Sequence, residues 1–234
     1  MIEITSLSSG SHGNCYHITD GSSPLLLEAG ISFREIQKGI DFKTAELEGC
    51  LISHEHGDHA KAVEKLTRAG VDCYMSEGTA GKLGFDNHRI KRGEAGEKIS
   101  LGTWAAKAFS IEHDAAEPLG FYLANQAGDK LLYITDSFYS RYTFEQPTHI
   151  MVECNFAYDI LNENVENGRV SATRKKRVLQ SHFGLRNVKE FLRANDLSHL
   201  QEIHLLHLSD DNSDAERFKR EIQQLAGVPV YIAE

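Results

Sequence analysis

Several features that mark large protein classes are missing from this chain, and each absence narrows the field. Its 234 residues hold only four cysteines, Cys15, Cys50, Cys73 and Cys154. No two of them form a CxxC pair and all lie in apolar or mixed segments, so buried reduced thiols and a cytoplasmic setting are expected. No apolar run approaches the ~18 residues of a membrane helix, and Met1-Ile2-Glu3-Ile4-Thr5 lacks the basic stretch and apolar run of a leader. A soluble protein with no membrane partner follows. No Pro-rich, Gly/Ser-rich or charge-run linker interrupts the chain, which favours one domain over residues 1–234. Positive charge is also short: the net charge is −9. That argues against coating duplex nucleic acid, a mode that rests on neutralising phosphates, so any nucleic-acid contact must be local.

What is present is concentrated. His54-Glu55-His56-Gly57-Asp58-His59 packs three imidazoles and a carboxylate directly after the apolar-rich segment Cys50-Leu51-Ile52-Ser53. Neutral imidazole and carboxylate are ligands that zinc, manganese and iron accept. His54 and His56, two apart, point the same way only on extended backbone. Asp58 is followed by Ala60, Ala62, Val63 and Leu66, a helical pattern beginning near Gly57 or Asp58. A strand end, a turn at Gly57 and a helix start would aim all four groups at one point. The helical HExxH protease motif is excluded, because residue 58 is Asp where that motif needs His.

The organisation around this stretch is mixed α and β. Strands are expected at Ile2 to Leu7, Cys15 to Ile18, Leu25 to Glu28 and Cys50 to Ser53, as a meander, and then at Trp104 to Ile111, Phe121 to Ala124, Lys130 to Thr135 and Ile150 to Glu153. Helices are expected at Phe33 to Lys38, Asp58 to Ala69, Asp159 to Glu166 and Val188 to Ala194. A strand at Ile203 to Leu208, a helix over about Ser213 to Leu225 and a strand at Val228 to Ile232 close the chain. Two β-rich blocks, each followed by helices, predict an α+β fold with four αββα layers. Further donors then stand at strand ends: His113 after Ala108-Phe109-Ser110-Ile111, Asp136 after Leu131-Leu132-Tyr133-Ile134-Thr135, and His207 inside Leu205-Leu206-His207-Leu208, where an imidazole is costly to bury unpaired.

In this order the residues resemble the metallo-β-lactamase superfamily of dinuclear hydrolases, a resemblance spanning nearly the whole chain. It looks closest to the small YycJ/WalJ-like hydrolases, which are related to the ribonuclease Z and J nucleases. The residues carrying it are Ser8-Ser9-Gly10-Ser11 with Gly13-Asn14, the His54 to His59 stretch, His113-Asp114-Ala115 with Pro118 and Gly120-Phe121, Thr135-Asp136-Ser137, Glu153-Cys154-Asn155, and His207-Leu208-Ser209 with Asn212. The resemblance implies a metallo-β-lactamase sandwich holding two divalent metal ions, zinc or manganese, with iron also compatible. It implies that His54, His56 and His113 hold one metal, that Asp58, His59 and His207 hold the other, and that Asp136 bridges them. A bridging hydroxide would be the nucleophile, and Asp58 is then expected to be essential for catalysis. Too little chain separates Asp136 from His207 for the clamp domain of the larger nucleases.

Two departures from the family pattern stand out. Glu28 stands where the family usually has Asp, a longer carboxylate that could still support the metal histidines with altered reach. His182-Phe183-Gly184-Leu185 stands where His-Leu-Ser-Asn is usual, which bears on the substrate. The window from Gly168 to Ser181 carries Arg169, Arg174, Lys175, Lys176 and Arg177 and no acid, inside an acidic chain. Leading into His182, it suits a phosphate-bearing substrate, with a solvated charged helix face as the plain alternative. His182 is a candidate general acid or phosphate contact. Ser11 and Asn14 lie on a Gly-rich turn able to present N–H groups to an anion. The expected activity is therefore phosphodiester hydrolysis, by a nuclease acting on a nucleic acid or nucleotide. A cyclic-nucleotide phosphodiesterase, a thioester or lactam hydrolase, and a metal-binding protein without catalysis are the alternatives. The sequence leaves room for a homodimer.

Overall fold

A computed structural model describes residues 1–234. The chain forms two compact units, the first comprising residues 1–110, 115–129 and 234, the second residues 111–114 and 130–233.

The first unit begins with β1 (Glu3–Ser8), β2 (Cys15–Thr19) and β3 (Leu25–Leu27), followed by helix α1 (Phe33–Gly39) and strand β4 (Gly49–Leu51). Helices α2 (Gly57–Ala60) and α3 (Val63–Arg68), strand β5 (Cys73–Ser76), helix α4 (Glu77–Leu83) and strands β6 (Ile90–Gly93), β7 (Lys98–Leu101), β8 (Trp104–Ser110) and β9 (Leu119–Asn125) complete it. Strands β1 to β6 make one sheet in chain order. The first three pair as the expected antiparallel meander, but β3–β4, β4–β5 and β5–β6 are parallel. Helices lie between most of these later strands in sequence, which is what parallel neighbours require. Strands β3 and β4 are buried throughout, as unbroken apolar runs in parallel sheets should be. The core between strands and helices joins Leu26, Cys50, Ile52, Cys73 and Met75 to Ile36, Val63, Leu66 and Ala80. Strands β7, β8 and β9 form an antiparallel ribbon, and β8 alternates buried and exposed residues along most of its length.

The second unit holds β10 (Lys130–Ile134), β11 (His149–Glu153), helices α5 (Tyr158–Glu166), α6 (Ala172–Ser181) and α7 (Leu185–Ala194), strand β12 (Glu202–Leu206), helix α8 (Ala215–Ala226) and strand β13 (Val230–Ile232). Its strands are all parallel, in the order β10, β11, β12, β13. Arg217 of α8 bonds Asp159 of α5 at 2.5 Å and Glu221 at 2.8 Å, and Glu221 pairs with Lys189 of α7, which ties three helices together.

Three expectations need correction. The single helix over Asp58 to Ala69 is two short helices, because the Ala62 N–H leaves the helical ladder to donate to the Ala29 carbonyl at 2.8 Å. The strand over Cys50 to Ser53 ends at Leu51. Strands β5, β6 and β7 and helices α4 and α6 carry no strong local signal: the strands are short and partly charged, and α4 contains Gly78 and Gly81. What sets α4 is tertiary, since Ser76 caps it and the Glu117 carboxylate accepts from the Gly78 N–H at 2.8 Å. No helix is long and apolar enough to cross a membrane. All four cysteines are buried free thiols, as expected, and burial raises the pKa of Cys15, Cys50 and Cys154.

Candidate metal centre

In the first unit the donors gather where parallel strands β3 and β4 end. Carboxyl ends of adjacent parallel strands are where α/β sheets place ligands, in the crevice where the chain leaves the sheet. His54 follows β4, and His56 is the N-cap residue of α2. The His54 and His56 rings sit edge to face at 4.6 Å between centroids, with His54 Nε2 3.0 Å from His56 Nδ1. His59, one turn into α2, brings its ring centroid to 4.1 Å from that of His54. Asp58 Oδ2 is 3.7 Å from His59 Nε2. The turn therefore draws the four donors of the His54 to His59 stretch together, as its spacing requires.

Close backbone contacts hold this turn in place. Asn14 N–H donates to the Asp58 carbonyl at 2.7 Å, Gly30 N–H to the Asn14 carbonyl at 2.8 Å, and Ala29 N–H to the His59 carbonyl at 2.8 Å. A Cβ on Gly30 would stand 1.7 Å from the Asp58 carbonyl oxygen, so only glycine lets the backbones approach this closely. Glu28 is fully buried in a left-handed conformation, φ 64°. Its carboxylate accepts from Ser53 N–H at 3.2 and 3.3 Å and lies 3.6 Å from His59 Nδ1. The longer side chain at this position thus still backs a candidate ligand, as second partners of metal histidines do. Asn14, expected on an anion-binding turn, is instead fully buried. Its amide bonds Gly10 and the Asp58 carbonyl and lies 3.2 Å from His59 Nε2, so it orients the turn. Ser11 is exposed.

In the second unit Asp136, Glu153 and His207, at the ends of β10, β11 and β12, meet His182, the C-cap residue of α6, each offering one ligand atom within 4.8 Å of the others. His207 is in the left-handed region, φ 51°. For non-glycine residues such strain costs about 1–3 kcal/mol and persists where the surroundings over-determine it. Here Asn155 does part of that work, donating its amide N–H to the His207 carbonyl at 2.9 Å. His113 donates from Nδ1 to the Ser181 carbonyl at 3.0 Å, which leaves Nε2 as the lone-pair nitrogen, 3.7 Å from Asp136 Oδ2. Burial lowers the His113 pKa, against the opposing pull of Asp136, which favours the neutral form that binds metals.

Glu153 organises this cluster. Fully buried, it accepts from Ser137 N–H at 3.0 Å and Phe183 N–H at 3.1 Å on one oxygen, and from His182 Nδ1 at 2.5 Å and His207 Nδ1 at 3.1 Å on the other. Nδ1 of each imidazole is thereby committed to the carboxylate. The His182 and His207 rings stack at 5.5 Å with 15° between planes. Burial raises the Glu153 pKa, but the His182 charge and the N–H donors override it and hold the carboxyl below its ordinary value. Burial lowers the His182 pKa, and the Glu153 and Asp136 carboxylates more than reverse that, so the net direction is upward. Glu153 and Asn155 were not among the site residues expected from the sequence. The signal existed: Glu153 ends the apolar run Ile150-Met151-Val152 just as Asp136 ends its own.

The basic segment forms α6, capped by Ser171. Two of its cations have partners, Arg177 on Asp114 at 3.3 Å and Arg174 near Asp211 at 4.0 Å; Lys176 is exposed and Lys175 half-buried.

No family model matches the chain. The exodeoxyribonuclease YycJ of Bacillus anthracis is 28% identical over 240 residues, spanning 96% of this chain and 89% of its own. The exodeoxyribonuclease WalJ of Streptococcus pneumoniae is 28% identical over 226 residues, spanning 88% and 81%. Among solved structures, the metallo-β-lactamase fold protein YhfI of Bacillus subtilis aligns over 100% of this chain and 97% of its own, with a TM-score of 0.74 at 15% identity. The chain has the metallo-β-lactamase fold, and the resemblance to YycJ and WalJ read from its motifs is borne out.

Proposed function

We propose that the protein is a divalent-metal-dependent phosphodiesterase acting on a nucleic acid or nucleotide, with exonuclease action on DNA as the leading reading. The observation that carries it is the convergence of Asp136, Glu153 and His207 from three adjacent strand ends with His182 from the end of α6, in a chain similar over most of its length to two proteins named exodeoxyribonucleases. The donor set is all imidazole and carboxylate with no thiolate, which suits zinc, manganese or iron.

In this reading His54, His56 and His113 serve one ion, Asp58, His59 and His207 a second, and Asp136 both, an assignment that rests on the family resemblance. Two divalent cations, when bound, supply charge stabilisation at a phosphoryl oxygen and lower the pKa of water. The chain's own groups do the rest. Glu28, Asn155, Glu153 and the Ser181 carbonyl fix the ring orientations, each through a contact to an imidazole or its backbone. His182, held at Nδ1 by Glu153, carries a proton at Nε2 for the leaving oxygen, the role of a general acid. The cations of α6 hold neighbouring phosphates.

Purified protein with Mn²⁺ or Zn²⁺ is expected to hydrolyse bis(p-nitrophenyl) phosphate, and Asp58→Ala to abolish that hydrolysis. Retained turnover in the variant, or hydrolysis of a thioester in place of the phosphodiester, overturns the reading.

A further inference from the structure

Between Asp136 and β11 the chain runs through Phe138, Tyr139, Arg141, Tyr142 and Phe144 with no helix or strand. Phe138, Tyr139 and Tyr142 are exposed, at 37%, 56% and 38%. Single exposed aromatics are ordinary on a protein surface, but a run of them on one loop marks a surface that binds something. This loop borders a cavity of about 190 Å³ lined by Tyr139, Arg141, Tyr142, Phe183, Asn187 and Phe191, among others. Behind Tyr139 and Tyr142 its lining includes the Phe183 and Phe191 rings, 6.2 Å apart, and Phe144 packs on Phe191 at 6.3 Å.

We propose that this cavity is a nucleobase subsite, taking the terminal base of the strand whose phosphodiester is cleaved. The proposal rests on the phosphodiesterase reading above and names the part of the substrate it had left open. Size is the first reason, since the cavity is smaller than the ~300–1,000 Å³ of drug-sized ligand pockets and suits one flat ring system. Charge is the second. Arg141 is paired with Glu112, and Glu190, also on the cavity wall, is paired with Arg186 at 2.9 Å. With its cation committed and a carboxylate present, the cavity is a poor phosphate site and a good one for a neutral heterocycle. Aromatic faces stack on any base, and an amide can bond its edge. Asn187 supplies the amide: its Oδ1 accepts from the Tyr158 hydroxyl at 3.2 Å, which orients its N–H₂ as the donor.

Continuity with the candidate centre is the third reason. The cavity wall begins at Phe183, the residue after His182, whose N–H donates to Glu153. On the other side the loop is pinned at its start, with Phe138 N–H on the Glu112 carbonyl at 3.1 Å and Ser137 Oγ on the Tyr139 carbonyl at 2.8 Å. A base seated here would fix the adjoining phosphate relative to His182 through covalent bonds alone.

Tyr139→Ala and Asn187→Ala test the subsite, since both residues lie toward the surface and neither belongs to the candidate centre. Single-stranded oligodeoxynucleotides with an intact, a 5′-abasic or a 3′-abasic end serve as substrates, and one abasic at both ends as the baseless control. Tyr139→Ala is expected to raise KM for the intact oligonucleotide about tenfold, within the range for a lost base stack. Turnover of the baseless control should stay unchanged, and one abasic end should erase the difference between variant and wild type. An unchanged KM, or a tenfold loss that persists on both abasic substrates, overturns the subsite. Were the wild type inactive on every phosphodiester, the catalytic reading would fail separately. Quenching of an oligonucleotide carrying terminal 2-aminopurine, present in wild type and lost in Tyr139→Ala, would then still report the subsite, and equal fluorescence in both would sink it.

Discussion

Glu153 has four N–H donors on two buried oxygens, and no other residue type can accept them all in that space. Replacing it by Gln puts an NH₂ where one pair of donors points, leaving buried N–H groups facing each other at a cost of about 1–3 kcal/mol for each unsatisfied group. The Glu153→Gln variant is therefore expected to lower kcat on bis(p-nitrophenyl) phosphate by about 10–100-fold, the usual range for partners of metal histidines, with a smaller effect on KM. Its thermal midpoint should fall as well. Wild-type kcat in this variant would show that the orientation of His182 and His207 does not depend on the carboxylate. Glu28 illustrates the same physics in the first unit. Its side chain, one methylene longer than the family pattern has, stands on left-handed backbone, and the carboxylate reaches Ser53 N–H and the His59 ring.

At the scale of the element, α6 shows how far composition can be trusted. Its run of cations is real, but Arg177 and Arg174 spend charge on Asp114 and Asp211, while Val178 and Leu179 turn inward to pack against the Phe156, Leu161 and Val170 cluster. The helix is thus anchored by an apolar edge and presents Lys175 and Lys176 as its remaining charges. Neutralising both lysines to Ala is expected to raise KM for an oligonucleotide and flatten the dependence of log KM on log salt by about one to two units, as about 0.7–0.9 is lost per phosphate contact. Hydrolysis of the small phosphodiester should be unaffected. A salt slope equal to that of the wild type would assign α6 to solvation alone. The helix over Asp58 to Ala69 teaches the opposite lesson: its periodicity is sound, yet one bond from Ala62 to Ala29 splits it and seats α2 against the end of β3.

For the whole molecule the candidate donors are imidazoles and carboxylates, the groups that hold divalent cations, so a bound cation should stabilise the folded state. By mass action, divalent metal at about a hundred times its dissociation constant contributes about 2.7 kcal/mol. Chelation with EDTA is expected to lower the thermal midpoint and readdition of Mn²⁺ or Zn²⁺ to restore it, with Asp136→Ala insensitive to both. An identical melting temperature for chelated and metal-loaded wild type would argue against a metal centre.

Much of the candidate site was legible because its donors are chemically distinct residues placed at the ends of apolar runs, and those runs stand out as local hydrophobic pattern. His54, His56, Asp58, His59, His113, Asp136 and His207 could be read in that way, as could the positions of most strands along the chain. Packing decided the remainder. Parallel pairing of β3 to β6, the seat of α4 on Glu117, the burial of Asn14 and the fit of Gly30 against Asp58 all depend on groups far apart in the chain. So does the convergence of His182 and His207 on Glu153. The choice of candidate donors is thus a property of the sequence by itself, whereas their tautomers, their orientation and the aromatic cavity beyond His182 exist only once distant backbone N–H groups and rings are brought within bonding distance.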